Sequence, residues 1–156
     1  MKKLLTAAAV IWLAVLLRLT VFRNGCFSHG LFSGRIELHA FSFYLRLVRA
    51  GNWKYFIYLF FGNVLWFAPA GFMVRLWRGR FRTALLAGFL LSLLVEAGQF
   101  ILGSGVSELD DLILNTLGAC LGYAAGCLVL RRRYPISGNC NGKASKNQTK
   151  GFSGTE

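Results

Sequence analysis

Acidic residues are scarce in this chain: six Asp and Glu stand against eighteen Lys and Arg, a net charge of +12. Charge of either sign is thin, at 15% of residues, while 55% are hydrophobic and mean hydropathy is +0.51. That balance is too apolar for an ordinary soluble domain. The basic residues lie between long apolar runs, a pattern that flanks membrane spans and excludes a nucleic-acid groove. No Cys-x-x-Cys pair, zinc-ligand spacing, Walker loop or nucleophile elbow occurs. Cys26 and Cys140 flank the apolar region, and Cys120 and Cys127, seven residues apart, share one helical face inside it as packing thiols. Neither a disulfide framework nor a metal site follows. Only two histidines are present, His29 and His39, ten apart in a loop-like segment, so no cofactor is expected.

What the chain does have is uncharged runs of membrane length, and one domain's worth of residues to hold them. An all-α integral membrane protein is expected, with four transmembrane spans at about 4–22, 55–74, 83–102 and 112–130. The first run has a positive tip and no small-x-small cleavage site, and Arg18 interrupts it. An uncleaved span with Arg18 snorkelling to the interface is expected, rather than a signal peptide. Pro69 predicts a kink in the second span. Residues 1–133 form the membrane domain, and 134–156, rich in Gly, Ser, Asn and Lys, read as a basic disordered tail.

The long connection, 23–54, begins as loop. It then places Leu38, Phe41, Leu45 and Val48 at helical spacing opposite Arg35, His39, Ser42, Arg46 and Arg49. This predicts an amphipathic helix, either flat in the headgroup region or packed on the spans. Trp53 and Tyr55 suit the interface. With both termini inside, the inner segments carry twelve Lys and Arg and the outer ones six, which supports an N-in, C-in topology.

The chemistry concentrates in 96–115, EAGQFILGSGVSELDDLILN. Glu96 lies within a span, where a carboxyl is costly and marks a functional site by default. Gln99, three residues on, shares its helix face and is placed to meet the same partner. Gly103 to Ser107 reads as a flexible turn. Glu108, Asp110 and Asp111 resemble a cation site, but Ser107-Glu108-Leu109-Asp110 is also a capping box opening the last span, which accounts for the same residues without a metal. Asp111 and Asn115, four apart, face Glu96 or an outer Arg. Asn63 in the second span is a candidate partner for Glu96, or an interhelical packing bond. Gly118, Gly122 and Gly126 form overlapping GxxxG steps. These fit close internal helix packing, and an oligomer through this face is the other possibility.

Three stretches taken together are similar to the VanZ-like family: NVLWFAPAGF (63–72), SLLVEAGQF (92–100) and SELDDLILNTLGACLGY (107–123). The matching residues are Asn63, Pro69, Gly71, Glu96, Gln99, Asp110, Asp111, Asn115 and Gly118. Two features depart from the family pattern: HAFSF (39–43) lacks a Pro found in relatives, and the third connection, GSGVSEL, lacks an Arg. The resemblance implies a multi-pass bacterial cell-membrane protein of the envelope, with low-level resistance to a lipoglycopeptide such as teicoplanin. It supplies no reaction.

Three readings follow. In the preferred one, Asn63, Glu96, Gln99, Asp110, Asp111 and Asn115 line a polar intramembrane site. That site engages a lipid-linked envelope precursor or an amphipathic ligand such as a lipoglycopeptide. In the second, Glu96 is the general acid or base of an intramembrane enzyme acting on a lipid-linked substrate. In the third, the glycine face docks another membrane protein.

Overall fold

The computed structural model describes residues 2–22 and 30–133. The predicted tail at 134–156, the start of the long connection, His29, Cys26 and Cys140 lie outside the described residues. Helix α1 (Lys2–Thr20) is followed by strand β1 (Arg35–Glu37), helices α2 (Ser42–Arg49), α3 (Trp53–Leu76) and α4 (Phe81–Leu102), strand β2 (Val106–Glu108) and helix α5 (Leu109–Arg133). Helices α1, α3, α4 and α5 are each long and apolar enough to cross a membrane. At about 1.5 Å per residue, the 24 residues of α3 reach about 36 Å, past a hydrocarbon core of about 30 Å. The observed helices run beyond the uncharged stretches, for example from Trp53 rather than Tyr55 and to Leu76 rather than Val74. Apolarity marks the slab a helix crosses, whereas backbone hydrogen bonding carries on into the polar flanks. Pro69 lies inside α3, which continues through it.

The best-packed seam is α3 against α5. A Cβ on Gly118 would overlap the Val64 carbonyl, one on Gly122 the Ala68 carbonyl, and one on Gly71 the Ala119 carbonyl. The GxxxG face of α5 is therefore filled by α3 of the same chain, backbone against backbone. Gly88 brings α4 onto the same Ala119. Helix α1 joins through Leu16 and Val21, buried with Phe67 and Val95, and through the Trp12 indole N–H, which donates to the Trp66 carbonyl at 3.1 Å. Outward-facing Leu, Ile, Val and Phe of the four long helices, such as Leu65, Leu86, Leu94 and Leu128, stay exposed, as a lipid-facing belt requires.

At the end of the bundle where α1 and α4 finish and α3 and α5 begin, the connections fold onto one another. Here the all-α expectation needs correcting. Strands β1 and β2 pair in parallel, Arg35 opposite Val106, Ile36 opposite Ser107 and Glu37 opposite Glu108. The Phe32 N–H donates to the Ile101 carbonyl at 2.9 Å and the Gly34 N–H to the Phe100 carbonyl at 3.2 Å. A Cβ on Gly34 would run into the Phe100 backbone, so this approach needs glycine. The stretch 103–107 is a turn only as far as Gly105, and Val106 and Ser107 belong to β2. Gly103 caps α4 at φ 59°, and Ser104 and Gly105 lead into β2. Pairing two irregular connections satisfies backbone groups that hydropathy and helical spacing do not register.

Helix α2 forms, but only part of the predicted apolar stripe turns inward. Leu38 and Leu45 are exposed at 69% and 52%, while Tyr44 is buried at 4% together with Val64 and Leu114. Phe41 packs inward with Tyr44 against the same cluster. Ser42, assigned to the polar side, has its hydroxyl oxygen buried. Aromatic contacts decide the rotation: Tyr44 meets Phe56 and Phe60 edge-on with centroids at 5.8 and 5.9 Å.

Candidate functional site

Among the described residues, every carboxylate side chain belongs to this connected end of the bundle: Glu37, Glu96, Glu108, Asp110 and Asp111. The helical spacing that sets Asp111 above Asn115 on α5 also sets Glu96 above Ser92 on α4, each pair one turn apart. The two helices meet along these faces. Deeper in the seam, the Asn115 Nδ2 donates to the Ser92 Oγ at 2.9 Å, both side chains fully buried. One turn nearer the end, Asp111 and Glu96 lie within electrostatic range of each other.

Each carboxyl at this level is tied to a different element. The Glu96 Oε2 accepts the backbone N–H of Glu108 at 2.9 Å, and the Ser107 hydroxyl bonds the same carboxyl. Glu96 thereby holds β2 down onto α4. Asp111 accepts from the Asn63 amide, whose Nδ2 also reaches the Tyr44 hydroxyl at 3.4 Å, so α5, α3 and α2 converge on one amide. Asp110, 4% exposed, accepts the Phe41 N–H through Oδ1 at 2.6 Å. Phe41 sits at the start of α2 in the left-handed region, φ 57°, a conformation costing a non-glycine residue roughly 1–2 kcal/mol. The hydrogen bond that the Phe41 N–H donates to Asp110 helps hold it there.

This arrangement corrects two expectations. Glu96 and Gln99 do not share a partner, because the Gln99 Nε2 turns to the Thr20 carbonyl of α1 at 3.3 Å. Three residues on, the side chain points about 60° around the helix and starts about 4.5 Å along it, which is enough to send Glu96 to β2 and Gln99 to α1. The capping box does not form either. Ser107 and Glu108 are strand residues, α5 starts at Leu109, and Asp110 reaches Phe41 instead of the turn before it. Asn63, Asp111, Glu96 and Asn115 do gather between α3, α4 and α5, with Asp110 at their edge and Gln99 apart.

Outside the spanning helices, burial pushes the Glu108 carboxyl above its ordinary range, and neighbouring Asp110 and Glu37 add to this while Arg46 opposes it. Burial, followed by Asp111, Glu108 and Asp110, also raises the Tyr44 hydroxyl, which keeps its proton. No group of three or more His, Cys, Asp or Glu among the described residues is arranged to hold a metal ion.

The family model for VanZ/LLP1 matches residues 4–130. The chain belongs to this family. No curated protein and no solved structure gives a significant match. The match runs through all four long helices and the connected end, so the polar cluster lies wholly within the matched residues.

Sequence reasoning did not select Tyr44 or Ser92. Ser92 carried a signal, lying one turn before Glu96 on the same face. Tyr44 carried a weaker one, three residues after Phe41 and four before Val48.

Proposed function

We propose that this VanZ/LLP1-family membrane protein acts at the cell envelope in the bacterial cell membrane, N-in and C-in. On this reading it engages a lipid-linked or amphipathic molecule at the polar end of its bundle and so confers low-level protection against a lipoglycopeptide such as teicoplanin. The observation that carries the reading is the gathering of Asn63, Glu96, Asp111 and Asn115 from three helices within two turns at the connected end of the bundle. Buried polar groups of this kind inside a span are expensive unless they serve a purpose. The route of the chain also supports the topology. Four membrane-length helices return Lys2 and Arg133 to the same side, the one with the Arg78, Arg80 and Arg82 turn.

Teicoplanin susceptibility of a sensitive Gram-positive host tests this, with wild type, Glu96→Gln and Glu96→Ala at matched membrane levels. Wild type is expected to raise the inhibitory concentration severalfold. Glu96→Gln keeps part of that protection, because an amide oxygen still accepts the Glu108 N–H, and Glu96→Ala loses it. Absence of protection by wild type rejects the resistance role. Complete loss in Glu96→Gln with normal insertion moves the reading to proton chemistry at Glu96.

A further inference from the structure

The α4–α5 seam holds a buried hydrogen-bond acceptor that lacks a donor among the described residues. Asn115, 3% exposed, directs its Nδ2 to Ser92 and leaves its Oδ1 buried with no donor among the described residues. Helical spacing puts that oxygen one turn beneath Asp111, on the face that meets Glu96. Asp111 has one oxygen on Asn63 and a second remaining, and the part-exposed Glu108 carboxyl lies within electrostatic range of both Asp110 and Asp111. No Lys or Arg among the described residues forms an ion pair with any of these groups: the one ion pair at this end joins His39 to Glu37 at 3.4 Å. A buried acceptor without a donor destabilises the fold. An arriving donor with positive charge would remove that penalty and neutralise the carboxyls together.

We infer that the seam between Asp111, Asn115 and Glu96 takes a primary ammonium group, which offers three N–H donors and one positive charge. The inference rests on the binding reading above and names the chemistry of its ligand. An anionic phosphate is the wrong sign for this position. The ammonium can come from an ethanolamine phospholipid headgroup or from a free amine. Arg46 gives the lipid source a second anchor. Its exposed guanidinium lies over Phe43 at 5.9 Å and acts electrostatically on Glu108, and a guanidinium is suited to hold a phosphate.

The test uses the full chain in phosphatidylcholine nanodiscs, followed by thermal unfolding through tryptophan fluorescence. Phosphatidylethanolamine, its mono- and dimethylated forms, and phosphatidylglycerol are mixed in separately, and free ethanolamine is added in a further arm. A ligand that binds only the folded state raises the unfolding midpoint. The expected result is a rise of several degrees with phosphatidylethanolamine that shrinks with each added N-methyl group and is absent with phosphatidylglycerol. A rise with free ethanolamine alone assigns the source to a soluble amine. Asp111→Asn keeps an acceptor for Asn63 and is expected to abolish the rise. Equal rises along the methylation series, an equal rise with phosphatidylglycerol, or a full rise in a folded Asp111→Asn overturns the inference. The methylation series decides the matter even where the variant does not fold. Teicoplanin protection with a flat methylation series keeps the polar site and rejects the ammonium. A graded series without protection keeps the ammonium and rejects the resistance role.

Discussion

Asp110 is a residue whose chemistry and position pull apart. Its place at the second position of α5 suits a helix N-terminus, yet its carboxylate holds Phe41, across 69 residues of chain, in a left-handed conformation. Asp110→Ala leaves the Phe41 N–H without an acceptor and is expected to destabilise the protein by about 1–3 kcal/mol, with Asp110→Asn milder. Denaturant titration in detergent measures both, and an Asp110→Ala chain of wild-type stability would show that Phe41 needs no holding. Glu108 makes a pH prediction. Its folded-state pKa is raised, so the fold prefers the neutral acid. The resulting stabilisation is complete below the unfolded value of about 4.3 and is lost as pH rises through the higher folded value. Wild-type stability should therefore fall with rising pH across that window, and Glu108→Gln should flatten part of the slope. An unchanged slope in Glu108→Gln would assign the pH dependence elsewhere.

Among the elements, the α3–α5 pair depends on glycine where the two backbones touch. Gly122→Ile drives a branched side chain into the Ala68 carbonyl and should abolish the folded form, visible as loss of monodisperse protein in size-exclusion chromatography. Gly62, also in α3, faces open space. Gly62→Ala is expected to be neutral or to stabilise by about 0.5–1 kcal/mol. If the two substitutions behave alike, close backbone approach is not what holds the pair. The glycine spacing was legible in the sequence because close helix contact needs a small residue every fourth position. That α3 of the same chain supplies the opposing surface was not, since Val64 and Ala68 look like any lipid-facing residues. The rotation of α2 was misread for a related reason. Leu45 is more apolar than Tyr44, but only Tyr44 reaches both the Phe56–Phe60 pair and the Asn63 amide.

For the whole molecule, the route of the chain puts both termini on one side, and the charge count predicts that this side is the cytoplasmic one. Green fluorescent protein fused after Glu156 should fluoresce and alkaline phosphatase fused there should stay inactive, and the reverse pair of results would invert the topology. The sequence by itself determined that four helices are long and apolar enough to cross a membrane, where they lie, and which polar residues sit within them. Those features follow from the local cost of placing charge and backbone in hydrocarbon. Only the tertiary structure decided the partners. It paired β1 with β2, sent Asp110 to Phe41 and Gln99 to Thr20, and set Asp111 on Asn63 and Asn115 on Ser92. A polar group in a low-dielectric setting must find a partner, but which one it finds depends on helix rotation and on the fold of the connections, and both are fixed by contacts distant in sequence.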